Sequence, residues 1–260
     1  MTDVFEHNRQ SWNRQSLSGE SRWCEPVSAA VIEAARRGEW TVILTPNRAV
    51  PRPWFAELRG ARVLCLASGG GQQAPVLAAA GAEVVSYDAS DEQLAKDSLL
   101  AERDGLNLRT VRGDMADLSC FEDGRFDLIF HPVSNVFVAD VRPVWRECHR
   151  VLAPRGRLLA GFMNPDFFLF DHAALERGAA PEVRFALPFS DVKDLPAEEL
   201  AARIAAGEAL EFSHSLDDQI GGQIDAGFVI AGFYEDRWEA RATPLDRYMP
   251  TSMATLALKS

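Results

Sequence analysis

The stretch from Arg62 to Gln73, RVLCLASGGGQQ, constrains this chain more than any other. Val63 to Ala67 is a short apolar run, the pattern of a strand buried on both faces. Gly69, Gly70 and Gly71 follow, and Ala74 to Ala80 then reads as a helix stopped by Gly81. Strand, glycine turn and helix together present backbone N–H groups and a helix N-terminus to a ligand. Glycine suits the turn because a Cβ there would block close approach.

From residue 61 the pattern alternates. Strands are predicted at 62–67, 83–88, 107–111, 126–131 and 157–162, with helices near 73–80, 90–103 and 140–152. The last helix carries Val141, Val144, Trp145, Cys148, Val151 and Leu152 as a one-sided stripe, with Asp140 placed to cap its start and Gly156 just past its end. Alternating strand and helix predicts a parallel sheet covered on both faces, with ligands outside the carboxyl ends of the strands. Upstream, Pro26 to Arg37 reads as a helix and Trp40 to Thr45 as a short strand-like run. A loop stiffened by Pro46, Pro51 and Pro53 follows. The first 25 residues are polar with isolated Phe5, Trp12 and Trp23, which fits either an exposed arm or a lid. Residues 163–216 break the rhythm with Phe167, Phe168, Phe170, Phe185 and Phe189 and a helix-like Ala197 to Ala206, and a last strand pair is expected near 227–235 and 253–259.

Acidic residues recur near the strand ends. Asp88 closes the second strand, Asp114 follows the third in Gly113-Asp114-Met115, and Asp127 precedes the fourth. A carboxylate ending the second strand can accept from both hydroxyls of a ribose, and one after the third can accept from an adenine amino group. With the glycine turn, Asp88 and Asp114 make an adenosine site.

Val63 to Gly71, Tyr87-Asp88, Gly113-Asp114-Met115, Phe126-Asp127-Leu128-Ile129 and Arg150 to Leu158 together resemble a class I S-adenosylmethionine-dependent methyltransferase of the small-molecule (type 11/25-like) bacterial branch. The likeness covers about residues 60 to 162, and Ala226-Gly227-Phe228 fits the family's C-terminal end. It implies an α/β fold: a doubly wound, seven-stranded Rossmann-like sheet with its last strand antiparallel. The chain is accordingly divided into an N-terminal arm or lid (1–60), a cofactor-binding core (61–162), a segment read either as an insert covering the substrate site or as a small subdomain (163–226), and a closing strand pair (227–260). The cofactor set implied is Ala67, Ser68, Gly69, Gly71, Gln72, Asp88, Ala89, Gly113, Asp114, Met115 and His131, with methionine contacts at Ser68, Gly69 and Gly71, ribose at Asp88, and adenine at Asp114 and Met115. Three positions depart from the family's pattern: Cys65 where it has an acid, Ala67 where it has its first glycine, and Arg155 in place of the first glycine of a Pro-Gly-Gly turn.

Two rival readings remain at this stage. A dinucleotide fold asks for G-x-G-x-x-G, but Gln72, Gln73 and Ala74 follow the glycines. The other rival is a nucleoside-cofactor-binding or regulatory protein without catalysis. The net charge of −11 argues against a nucleic-acid partner, and His131-Pro132-Val133-Ser134 departs from the Asn/Asp-Pro-Pro-aromatic run that nucleic-acid amino-methylating relatives often carry there. The acceptor is therefore expected to be a small molecule methylated at N or O, and the aromatic insert suggests that it has an apolar or aromatic portion. Cys24, Cys65, Cys120 and Cys148 are far apart, read as small buried residues, and form no metal or disulfide pattern. With no basic-then-apolar start and no long apolar run, the expected protein is cytoplasmic, off the membrane, and a monomer or homodimer.

Methyl transfer needs a base only when the acceptor must lose a proton. His131, after the fourth strand, is the first catalytic candidate and His214 the second. Trp12, Asn135, Asn164 and Asp166 are the substrate candidates, while His7, His149 and His172 read as structural.

Overall fold

The computed structural model describes residues 3–19, 21–238 and 242–260. Helices α1 (Val4–Ser18) and α2 (Ala29–Arg36) precede strand β1 (Arg62–Leu66). Then come α3 (Gln73–Ala79), β2 (Glu83–Asp88), α4 (Asp91–Asp104), β3 (Leu108–Arg112), β4 (Phe126–His131), α5 (Arg142–Val151) and β5 (Leu152–Met163). After β5 lie the short α6 (His172–Glu176), α7 (Asp191–Asp194), α8 (Ala197–Ala206) and α9 (Gly222–Asp225), followed by β6 (Phe228–Asp236) and β7 (Ser252–Lys259).

The seven strands form one sheet in the order β3-β2-β1-β4-β5-β7-β6. Strands β1 to β5 pair in parallel, and β7 runs antiparallel between β5 and β6. The order reverses between β1 and β4, so the ends of those strands open a crevice. Side-chain alternation sets two cores. Val63, Cys65, Val84, Leu128 and Phe130 face the layer with α3 and the loop around Val42 to Leu58. Leu64, Leu66, Val85, Tyr87, Ile129 and Leu158 face Val144, Trp145, Cys148 and Val151 of α5.

Several expectations shift. Trp40 to Thr45 forms no strand, only an isolated bridge from Ile43 to Ala49. Its backbone groups are used elsewhere: Ile43 N–H donates to the Gln73 side chain, and Leu44 C=O accepts from Val133 N–H. Asp140 lies two residues ahead of α5, and its carboxylate accepts from Arg142 N–H. Asp127 belongs to the opposite end of the sheet from Asp88 and Asp114, because it sits at the start of β4. There it accepts from the Arg62 backbone at 2.9 Å and from its guanidinium at 2.6 Å. Cys24, Cys65 and Cys148 are buried as expected, but Cys120 is exposed. No described helix is long and apolar enough to cross a membrane.

The N-terminal segment is a fastened helix, not a loose arm. Asp3 caps α1 and Gly19 ends it in the left-handed conformation. Its buried face is polar: Asn8 donates to Phe137 C=O and Leu210 C=O and accepts from Leu210 N–H, while Ser11 donates to Gly207 C=O. On the other side, Asn13 accepts from the Ser90 hydroxyl at 2.7 Å. So α1 ties the segment after α8 to the start of α4 across the sheet's carboxyl edge.

Candidate active site

One cavity of about 1560 Å³ opens above that edge. Ala67, Ser68, Gly69 and Gln72 from the glycine turn, Asp88 and Ala89 after β2, and Gly113, Asp114 and Met115 after β3 all line it. These are nine of the eleven predicted cofactor residues, gathered from three strand ends. The other two, Gly71 and His131, lie outside its lining.

Asp88 accepts from Ser90 N–H at 2.9 Å through one carboxylate oxygen. Burial pushes its carboxyl up to about 6, against the pull of the Ser90, Gly69 and Ala89 amides. Asp114 accepts from Ala116 N–H at 2.9 Å, which fixes its turn at the cavity wall. Gly113 is required by close approach: a Cβ there would stand 1.9 Å from the Tyr87 hydroxyl oxygen. The Ser68 hydroxyl is buried in the wall.

The glycine turn is held differently from the expectation that its amides face a ligand. Gly70 N–H donates to the Gln93 side chain at 3.1 Å, and Gly71 N–H donates to Asp97 at 2.7 Å, both from α4. Gly71 is therefore spent on scaffolding. Gln72 also leans outward, its amide donating to the carbonyls of Arg22 and Glu25. Ala67 takes φ 46° and Arg155 φ 64°, so the two residues that replace family glycines both occupy the left-handed region that favours glycine.

His131 does not reach the cavity. As the last residue of β4 it follows the parity of Ile129 and points into the α5 layer, with its ring 6.0 Å from Trp145. It has no solvent exposure. Its Nδ1 bonds Leu66 C=O at 2.8 Å, Nε2 is unpartnered, and burial lowers its pKa to about 4. The imidazole is therefore held neutral and enclosed, on the α5 side of the sheet and away from the cavity lining. His214 is likewise enclosed, with Nε2 3.0 Å from Asn135 C=O. Asn135 is fully buried and exchanges amide hydrogen bonds with Gln219 at 3.1 Å. Asn164 caps the turn after β5 by accepting from Asp166 N–H and donates to Pro250 C=O, and exposed Asp166 is absent from the lining. Of the four substrate candidates only Trp12 lines the cavity, packed edge-on against Phe137 at 5.2 Å.

The far half of the cavity is built by residues 167–211. Phe167, Phe168, Phe170, Phe185 and Phe189 line it, and His172 stacks on Phe167 at 3.7 Å. Burial lowers the His172 pKa to about 4, so it is a neutral part of the aromatic wall. Among these rings stands a carboxylate that sequence reasoning missed. Glu211 lines the cavity, and among the described residues its side chain has no hydrogen-bond partner. Burial, reinforced by the nearby Asp191 charge, pushes it up to about 7. Its backbone is fixed: Glu211 N–H donates to Asp191, and Phe212 N–H donates to Val136 C=O in the turn after β4. The available signal was Leu210-Glu211-Phe212, where alternation sets one acid against two buried apolar neighbours.

A family model described as a methyltransferase domain matches residues 64–160. Over 259 residues, all of both chains, the sequence is 49% identical to a Bacillus subtilis (strain 168) protein named as an uncharacterized methyltransferase, YbaJ. An S-adenosylmethionine-dependent methyltransferase from Mesorhizobium loti superposes with TM-score 0.62 at 20% identity, covering 80% of this chain and 95% of the other. A Burkholderia thailandensis 1,6-didemethyltoxoflavin-N1-methyltransferase, solved with 1,6-didemethyltoxoflavin and S-adenosylhomocysteine, gives TM-score 0.57 at 16% identity over 100% and 92% of the two chains. These two structures support the fold.

Proposed function

This chain belongs to the class I S-adenosylmethionine-dependent methyltransferases, and on that premise we propose that it methylates an N or O atom of a small molecule with an apolar or aromatic portion. The membership removes the dinucleotide alternative and favours catalysis over a binding-only role. The observation that carries the substrate reading is the continuity of one cavity from Asp88 and Asp114 to the phenylalanine wall.

The residues present suit the cofactor. Asp88 lines the cavity, Gly113 leaves room where a Cβ would clash, and the buried Ser68 hydroxyl stands in the same wall. Asp88 would hold the ribose hydroxyls, Asp114 and Met115 the adenine, and Ser68 and Gly69 the methionine end. Bound there, S-adenosylmethionine supplies a methyl group already activated by a positively charged sulfur. The protein's main task is then alignment, which can contribute about 7–11 kcal/mol when reacting groups are held in attack geometry. Phe167, Phe168, Phe185 and Phe189 take the acceptor's apolar part and exclude water. Glu211 replaces His131 as base: it is poised near neutrality and takes the proton of the acceptor's N–H or O–H. Trp12 on α1 and the insert close over the acceptor.

Mass spectrometry of the purified protein, followed by labelled S-adenosylmethionine with a panel of phenols and aromatic amines, tests this reading. The expected result is bound S-adenosylmethionine or its demethylated product, with label transferred to panel members. Label appearing only in nucleic acid or protein would overturn the acceptor class.

A further inference from the structure

Behind the glycine turn lies a buried carboxylate that has no cationic partner among the described residues. Asp97 on α4 is fully buried, and its Oδ1 accepts from Gly71 N–H at 2.7 Å. Its Oδ2 has no hydrogen-bond partner. The buried Ser86 hydroxyl on β2 lies beside it and favours its ionised form, and the buried Ser68 hydroxyl of the turn lies beside Cys65. Cys65, which pairs in register with Ser86, also lies beside it. Among the described residues no cation pairs with Asp97; Lys96, one residue earlier, donates to the carbonyls of Ser16 and Cys24.

A buried carboxylate without a counter-cation is costly unless its charge is neutralised. The pressure is visible here, since burial with the nearby Asp88 pushes Asp97 up to about 7. S-adenosylmethionine brings a sulfonium and an ammonium, the positive charge that this corner of the fold lacks. We infer that Asp97 is a positioning residue for the cofactor, whose carboxylate fixes the Gly71 amide and supplies the negative field against which the cofactor's cationic end binds. The inference rests on the assignment of the glycine turn and Asp88 to the cofactor. It makes tight binding depend on ionised Asp97, so binding expels a proton wherever the free protein still holds one. Three titratable groups meet at this point. Burial raises the Cys65 thiol on β1 well above its ordinary value and pushes Asp88 after β2 up to about 6, and the third group is Asp97 itself on α4.

The test is calorimetric titration of the full chain with S-adenosylmethionine between pH 5.5 and 8, using the wild type, Asp97→Asn, Asp97→Ala and Asp88→Ala. Asp97→Asn keeps an oxygen for Gly71 N–H and removes the charge. It is expected to bind roughly tenfold more weakly than wild type at pH 8 and about equally at pH 5.5. Its proton release, read from buffers of different ionisation enthalpy, is expected to fall. Asp97→Ala also frees the Gly71 amide and should lose affinity at every pH. If Asp97→Asn matches the wild type from pH 5.5 to 8 while Asp88→Ala abolishes binding, Asp97 is scaffolding and the inference fails alone. If Asp88→Ala binds normally as well, the cofactor assignment itself fails.

Discussion

Gly70 offers the sharpest structural test, because the requirement there is space and not backbone angle. A Cβ at Gly70 would stand 2.0 Å from Gln93 O, 2.6 Å from its carbonyl carbon and 2.7 Å from its Cα. All three are backbone atoms of α4, which no rotamer change can move. Ordinary contact begins at 3.4 Å, so the start of α4 must retreat by about 1.4 Å. That retreat breaks the amide bonds from Gly70 to Gln93 and from Gly71 to Asp97. Overpacking costs about 1–3 kcal/mol and each stranded buried donor another ~1–3. Gly70→Ala is therefore expected to lose roughly 3–9 kcal/mol, a fall of about 6 °C or more in melting temperature for a chain of this size. Gly105→Ala is the control: it ends α4 at φ 60° with nothing within 4 Å of its would-be Cβ, and should cost only about 1 kcal/mol. Differential scanning calorimetry reads both. A Gly70→Ala protein that melts no lower than Gly105→Ala would refute the claim that α4 clamps the turn.

Three further outcomes are expected. Ala67→Gly and Arg155→Gly should each raise stability by about 0.5–1 kcal/mol in urea unfolding, since relief of left-handed strain outweighs the added freedom of the unfolded chain; no change would show those backbones to be unstrained. Glu211→Gln should lower turnover by about 10²–10⁴-fold and remove the limb of the pH–rate profile near 7, with S-adenosylhomocysteine affinity intact; unchanged turnover would remove its role as base. His131→Asn should cost about 1–3 kcal/mol at pH 7 by losing ring packing on Trp145. Because the folded His131 value is depressed to about 4, its contribution is complete above ~6.5 and fades as pH falls toward 4. The gap between wild type and variant should narrow across that window in chemical denaturation, and a gap constant with pH would place the charge change elsewhere.

The gathering of nine predicted residues on one cavity wall was legible because it is local: glycines, Asp88 and Asp114 fall at strand ends that apolar runs already mark. The catalytic and substrate candidates were not, for reasons of parity and distance. One residue's alternation along β4 sends His131 into the α5 core instead of the cleft. Asn135, a substrate candidate just beyond that strand, is instead bonded to Gln219, 84 positions away. Glu211 reaches the cavity only because Phe212 is pinned to Val136 and Asp191 holds the Glu211 amide, contacts that no local pattern announces. The N-terminal helix was ambiguous for the same reason: its anchors at Leu210 and Ser90 lie far along the chain.

A crystal structure of the chain with S-adenosylhomocysteine decides the central assignment. The account predicts ribose hydroxyls within hydrogen-bond distance of the Asp88 carboxylate and adenine against Asp114 and Met115. Density for the nucleoside elsewhere, or an Asp88 carboxylate turned away from it, would contradict that assignment.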